Sequence, residues 1–443
     1  MKTPICDFLK SYTQRDVLRL HMPGHKGKEF LGFEQYDITE IDGADSLYSA
    51  NGIIEESENN ASELFGCPTY YSTEGSSQCI RAMLALCSLY AKSRGERAKV
   101  LAARNAHKAF HSAVALLDIE VEWLCGEKMD NYLSCELDAD CLNKYLDNEE
   151  NKPTALYITS PDYLGNVADV SSISKVCHKH GVLLLVDNAH GAYLRFVSPS
   201  AHPIDLGADI CCDSAHKTLP VLTGGAYLHL SDRVAPELEA YVKDALQLFG
   251  STSPSYIILA SLDTANAYLE SHRTRLSSFV KKVDALKSEL NSIGYSLYGN
   301  EALKITLQTK KYGYYGFELA KLLEEKGAVC EFSDPDFLVM MLTPENESEL
   351  EVLKNILTSV PKREVINELS PLFRAPKRVT SIREAYLSPF EKIDVENALG
   401  RVAALSCVGC PPAVPIVMGG EVIDENAIEC FKYYGINRIN VIK

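Results

Sequence analysis

The sequence predicts an α/β fold organised on a mostly parallel sheet, and three observations carry that expectation. Strand-like and helix-like segments alternate from about residue 69 to residue 230, the order that gives a parallel sheet with helices on both faces. The apolar run Leu183 to Val186 ends in Asp187, the pattern of a buried parallel strand whose C-terminal tip carries a functional carboxylate. Finally, Asp209 to Ala226 begins as a strand, holds Lys217 inside the polar cluster Ser214-Ala215-His216-Lys217, and runs into Gly224-Gly225.

In chain order, a helix from Ile5 to about Tyr12 precedes His21-Met22-Pro23-Gly24-His25-Lys26, where Pro23 and Gly24 exclude regular structure. The acidic stretch Asp37 to Tyr48 leads to a helix, Ile54 to Phe65, which Gly66 ends with Pro68 just beyond. Gly75-Ser76-Ser77 opens the next helix, so that backbone N–H groups and two hydroxyls converge as an anion site suited to a phosphate. Glu74 is expected to point away from it. The strand Lys99 to Ala103 delivers Arg104-Asn105-Ala106-His107-Lys108 and a helix to Leu117. The strand Thr154 to Thr159 ends in Ser160-Pro161-Asp162-Tyr163, and a helix, Ser171 to His180, returns the chain to the strand that carries Asp187. Tyr227 to Leu230 is a further strand, and Thr252-Ser253-Pro254-Ser255-Tyr256 leads into a helix to about Glu270, with a second helix over 274–293. Alternating short units from 302 to 357 form a smaller α/β domain, followed by a proline-containing remainder with a helix expected from Val395 to Ala404. The expected domains are an N-terminal arm over 1–50, a large domain over 51–270, a small α/β domain over 271–360 and a C-terminal subdomain over 361–443.

The polar motifs fall at the C-terminal ends of strands, where open α/β sheets bind ligands. A lysine able to form a Schiff base, together with an aspartate able to hold a pyridinium nitrogen, is the protein side of pyridoxal phosphate (PLP) chemistry.

A formal charge of −16 over 443 residues disfavours nucleic acid or an anionic membrane as partner and is compatible with a cationic substrate. The basic cluster Arg374, Lys377, Arg378 and Arg383 reads as a solvated linker. No run approaches the roughly 18 apolar residues a membrane span requires, and the N-terminus shows no apolar signal core. A cytoplasmic location is therefore expected, with the fourteen cysteines as reduced thiols. Cys407 and Cys410 form one CxxC without a second pair or nearby histidines, and no metal is expected.

Jointly and in this order, these motifs resemble the Orn/Lys/Arg decarboxylase family, PLP enzymes of the aspartate-aminotransferase fold. The resemblance rests on His21-Met22-Pro23-Gly24-His25-Lys26, the Asp37 to Leu47 stretch, Arg104 to Lys108, Ser160 to Tyr163, Asp187-Asn188-Ala189-His190-Gly191, Ser214 to Lys217 and Thr252 to Tyr256. It implies a fold type I, PLP-dependent transferase-like large domain with a smaller C-terminal α/β domain, matching the shorter family members. It also implies that Lys217 forms the Schiff base, Asp187 pairs with the pyridine nitrogen, His107 stacks on one ring face and Ala189 packs on the other. Gly75, Ser76, Ser77, Ser214 and His216 would hold the phosphate, with His190 beside the cofactor and Thr252 and Ser253 reaching the phosphate from a second subunit. His216 or Lys217 is expected to supply the proton that replaces carbon dioxide.

The implied activity is decarboxylation of lysine, arginine or ornithine to a polyamine-type amine by a homodimer or higher homo-oligomer. Asp45, Asp162 and Glu421 are offered as partners for the substrate's distal cation. The alternatives are another PLP reaction on the same fold, a transamination or elimination, and a non-catalytic PLP-binding relative. The sequence departs from the family pattern at Asn188, where glutamate is usual, and at Glu74, Asp162 and Gly224. Further departures are Cys410-Pro411-Pro412-Ala413 and Gly419-Gly420-Glu421, near where the family shapes its substrate pocket.

Overall fold

The computed structural model describes residues 1–124, 131–148, 152–405 and 412–443. The first seven strands are β1 (Thr69–Ser72), β2 (Lys99–Ala103), β3 (Glu120–Leu124), β4 (Ala155–Thr159), β5 (Leu183–Asp187), β6 (Ile210–Asp213) and β7 (Ala226–Leu230). Between and before them lie helices α1 (Pro4–Thr13), α2 (Ile53–Phe65), α3 (Ser76–Ser93), α4 (Lys108–Leu117), α5 (Ala139–Leu146), α6 (Val170–Lys179) and α7 (Ala215–Thr218). The seven strands form one mostly parallel sheet, so the α/β expectation holds. The chain divides into two compact units, 1–98 with 154–156 and 170–273, and 99–153 with 157–169 and 274–443.

In the first unit β5 and β6 pair in parallel, with Asp187 opposite Cys212. Every residue of β5 is buried, as a continuous apolar run demands in a strand covered on both faces. β7 runs antiparallel to both β6 and β1. That reversal brings the turn after β6, which carries Lys217, next to the turn after β1, which carries Gly75. Gly75 N–H donates to Gly224 O at 2.7 Å. A Cβ on Gly224, whose φ is +101°, would lie 2.8 Å from Thr73 O, so no side chain fits there. Helix α2 ends at Gly66 in the left-handed conformation, φ +71°, as its place after Phe65 predicts.

In the second unit β2 and β3 pair in parallel. A four-stranded antiparallel sheet is built from β8 (Leu297–Tyr298), β9 (Lys304–Gln308), β10 (Phe332–Ser333) and β11 (Phe337–Met341) in the order β10-β11-β9-β8. β12 (Phe390–Asp394) and β13 (Arg438–Ile442) make a two-stranded antiparallel sheet. A core of Leu164, Phe337, Val339, Phe373, Ile416, Phe431 and Val441, among others, runs through this unit.

Three expectations are corrected. The segment 395–404 is not a helix: Val395–Asn397 make a single 3-10 turn, and Val402 and Ala403 form bridges to Val422 and Val441. Gly400, at φ +77°, breaks the run. The two helices expected over 257–270 and 274–293 are one helix of 37 residues, Tyr256–Ser292, because neither Gly nor Pro interrupts it. The basic cluster is not wholly a solvated linker. Arg378 donates to Val121 O at 2.8 Å and Arg383 to Ala115 O at 2.9 Å and Leu116 O at 3.1 Å, so Arg383 caps the C-terminal carbonyls of α4.

Candidate active site

Four chain segments of the first unit supply the groups that the sequence singles out. α3 begins at Ser76 after Gly75, whose φ of +73° and ψ of 176° only glycine adopts readily. A Cβ there would meet nothing nearer than Ser77 N at 4.0 Å, which leaves the mouth of the turn open. The first-turn N–H groups of an 18-residue helix have no intrahelical acceptors and carry its positive dipole end. The Ser214 hydroxyl, from the turn after β6, donates to Ser76 Oγ at 2.7 Å, so two hydroxyls and a helix N-terminus meet. Glu74 is exposed and turned away, its carboxylate accepting from Ser251 N–H, as its place beside an anion site requires.

The tip of β5 provides Asp187, only 2% exposed, whose carboxylate accepts from Ala189 N–H at 3.1 Å and Cys212 Sγ at 3.8 Å. Ala189 and His190 follow it and are buried. Lys217 Nζ, on α7, lies 3.0 Å from His190 Nε2. His216 donates from Nδ1 to Gly225 O at 3.1 Å. Burial pushes its imidazole below the ordinary histidine range, with the Lys217 charge adding to the shift and the Gly225 carbonyl opposing it. His216 is therefore neutral near pH 7. The hydroxyl of Thr218, next to Lys217, is buried without a hydrogen-bond partner. Thr252 and Ser253 are exposed, on the segment that leads into the long helix.

A hydroxyl-lined anion cradle, a buried carboxylate, a lysine amine and an orphaned buried hydroxyl are a donor set that fits PLP: phosphate, ring nitrogen and aldehyde each meet a matching group. Ser76, Ser77, Ser214 and His216 are the residues that would hold the phosphate, Asp187 the nitrogen and Lys217 the aldehyde.

His107, Asp162 and Glu421 belong to the second unit. His107 caps α4, its Nδ1 accepting from Ala109 N–H at 3.1 Å. Asp162 braces its own loop, with Oδ1 accepting from Leu164 N–H and Asn166 N–H at 2.9 Å each and Oδ2 accepting from the Asn166 amide at 2.8 Å. Glu421 forms a buried ion pair with Arg104 at 2.7 Å, the two side chains 2% and 1% exposed, and also accepts from Met418 N–H at 2.8 Å. Burial pushes the Glu421 carboxyl up despite the guanidinium beside it. In the first unit, Asp45 caps α2, its oxygens accepting from the N–H groups of Ser46, Asn51, Gly52, Ile54 and Glu55. Burial opposes its ionisation, and these donors outweigh it, holding the carboxyl below its ordinary range. Cys407 and Cys410 lie outside the described residues.

One polar centre escaped the sequence reading. Asp213, fully buried at the end of β6, accepts from His202 Nε2 and His229 Nε2 at 3.1 Å each and from the Asn188 amide at 2.7 Å. Strand alternation was the available signal: Asp213 and Cys211 share a face of β6, and a charged residue inside a buried strand must be partnered.

Comparison with known proteins bears on the family and the fold. The family described as "Orn/Lys/Arg decarboxylase, major domain" matches residues 3–306, and its C-terminal domain matches residues 372–438. An uncharacterised Bacillus subtilis protein, YaaO, is 29% identical over 97% of this chain and 93% of its own length. The arginine decarboxylase of Bacillus subtilis is 27% identical over 96% of this chain and 92% of its own length. Among solved structures, the constitutive lysine decarboxylase of E. coli superposes with a TM-score of 0.78 at 18% identity, covering 100% of this chain and 82% of that one. A Sphingomonas wittichii serine palmitoyltransferase shares the fold at a TM-score of 0.54 and 17% identity, over 69% of this chain and 75% of its own. The decarboxylase family and these fold neighbours are in general PLP-dependent. By the match over residues 3–306, the chain belongs to the Orn/Lys/Arg decarboxylase family of enzymes.

Proposed function

We propose that this chain is a PLP-dependent decarboxylase of a basic amino acid, arginine, lysine or ornithine, which releases carbon dioxide and the corresponding amine. The observation that carries the reading is the convergence in one unit of Lys217 Nζ, 3.0 Å from His190 Nε2, with buried Asp187 and the Ser76–Ser214 hydroxyl pair. Arginine is the first substrate to test, because several curated relatives that match 95% or more of this chain bear the name arginine decarboxylase.

PLP bound at this site supplies the electron sink for the pair left when the Cα–carboxylate bond breaks. The residues supply the rest. Lys217 Nζ is the amine that would hold the cofactor. The Asp187 carboxylate, oriented by Ala189 N–H and Cys212 Sγ, keeps a proton on the ring nitrogen. His190 exchanges a proton with Nζ across the 3.0 Å contact. Lys217 would deliver the proton that replaces carbon dioxide at Cα, because His216, held neutral by burial and donating its one ring proton to Gly225 O, has none to give.

The exposed Thr252 and Ser253 reach the phosphate of a second copy in a homodimer. Leu18, Leu20, Met22, Phe30 and Leu31 are between 63% and 84% exposed in the single chain, which supports an N-terminal arm that packs on that copy. Among the described residues no helix is long and apolar enough to cross a membrane.

The test is amine and carbon dioxide release from arginine, lysine and ornithine by the purified protein, set against Lys217→Ala. Release from at least one by the wild type and none by the variant is expected. Turnover retained in Lys217→Ala, or keto acid in place of amine, would refute the proposal.

A further inference from the structure

Asp187 and Asn188 sit one peptide apart at the end of β5 and face opposite ways. Asp187 shares its side of the sheet with Cys212, and Asn188 shares the other with Cys211 and Asp213. The Asn188 amide donates to Asp213 Oδ1 at 2.7 Å, its backbone N–H donates to Cys212 O at 2.9 Å, and its carbonyl accepts from Gly191 N–H at 2.8 Å. A Cβ on Gly191 would fall 1.9 Å from Asn188 Oδ1 and 2.7 Å from Leu194 Cδ1. The amide therefore sits between Gly191, where only a residue without a Cβ fits, and Asp213.

Asp213 is 0% exposed, and its four donors come from Asn188, Cys211, His202 and His229. His202 Nδ1 is buried without a partner. Burial resists charge on Asp213 and the two imidazoles overcome it, so the carboxyl stays well below its usual range. An anion in a closed site has one requirement of each neighbour, that it donate. Glutamate, the usual family residue at position 188, would set a second carboxylate against the first.

We propose that Asn188 is a positioning residue matched to Asp213: the amide–carboxylate contact fixes the β5 tip and so holds Asp187 aimed at the cofactor's ring nitrogen. The inference rests on the reading of Asp187 given above. Loss of the contact lets the 187–188 peptide turn, and a displacement of about 1 Å at a reacting group can cost on the order of a hundredfold in rate.

The test compares wild type with Asn188→Asp, Asp213→Asn and the exchange Asn188→Asp/Asp213→Asn. Each is stripped of cofactor and titrated with PLP by absorbance, and each is melted in the cofactor-free state. Each single variant should bind PLP at least about tenfold more weakly and lose kcat more than KM rises, whereas the exchange, which restores a donor facing an acceptor, should recover to within a few-fold of wild type. Single variants with wild-type PLP affinity, or an exchange no better than the worse single variant, would overturn the positioning role. If Asn188→Asp does not fold, Asn188→Ala removes one donor of four and decides the same point: tenfold weaker PLP binding at a nearly unchanged melting temperature supports positioning, and unchanged binding overturns it. A wild-type protein that takes up no PLP refutes the cofactor reading itself, whereas wild-type uptake with unimpaired variants refutes positioning alone.

Discussion

Lys217 Nζ and His190 Nε2 stand 3.0 Å apart although 27 positions separate them in sequence, because parallel pairing of β5 and β6 sets the two turns side by side. The lysine thus has a proton-exchange partner supplied by the strand that also carries Asp187. His190→Asn should lower kcat about a hundredfold with little change in KM, since the substituted group handles a proton and does not bind substrate. Steady-state kinetics on the most active basic amino acid would measure this, and an unchanged kcat would remove His190 from the proton path.

His111, on α4, is fully buried, with Nε2 donating to Ala106 O at 3.3 Å and Nδ1 unpartnered. Burial, joined by the Arg104 charge, pushes its imidazole down to about 3. An unfolded histidine titrates near about 6.5. Between those values the unfolded chain binds a proton that the folded chain refuses, so stability falls as pH drops through that window, by up to about 1.4 kcal/mol per pH unit. Urea unfolding between about pH 6.5 and 4 should show a shallower slope for His111→Gln than for wild type.

The Arg104–Glu421 pair is buried on both sides, and removal of one partner strands the other. Glu421→Ala should cost about 3–5 kcal/mol, and Arg104→Met/Glu421→Met should recover most of it. Chemical denaturation checks the ordering. A KM that rises in the double variant while stability returns would give Glu421 a substrate role besides its structural one.

Asp45 occupies a left-handed position, φ +68°, while its carboxylate accepts from Ser46 N–H and from four N–H groups at or just before the start of α2. Asp45→Ala should cost about 2 kcal/mol and Asp45→Asn less, because asparagine tolerates that backbone and still accepts. Thermal melts compared with KM separate this capping role from contact with substrate.

The large sheet was legible because its strands are short apolar runs that end in polar turns, and Leu183 to Asp187 shows why: a strand covered on both faces has no alternation to misread. Lys217, Asp187, Ser76 and Ser214 were legible as a set for a related reason, since strand tips and helix starts converge wherever strands pair side by side. The end of the chain was harder. β12 and β13 are separated by the segment that closes between them, and alternation in Phe390–Asp394 with three exposed positions carries little apolar signal. Val395 to Ala404 carries helix-forming residues, yet Gly400 and the bridges at Val402 and Ala403 prevail over propensity. Asp213 is hidden in sequence because its partners His202 and His229 stand on either side of it in the chain and only the fold brings them to its carboxylate.

The pairing of Arg104 with Glu421 also bears on how the protein is made. A ribosome delivers Arg104 long before its partner, 317 positions ahead in the chain. Until the last residues emerge, the guanidinium has no carboxylate to follow it out of water, and the turn that leads from β2 to His107 cannot close around it. A chain that stops before position 421 therefore leaves the Arg104 guanidinium without the carboxylate that accompanies it into the interior.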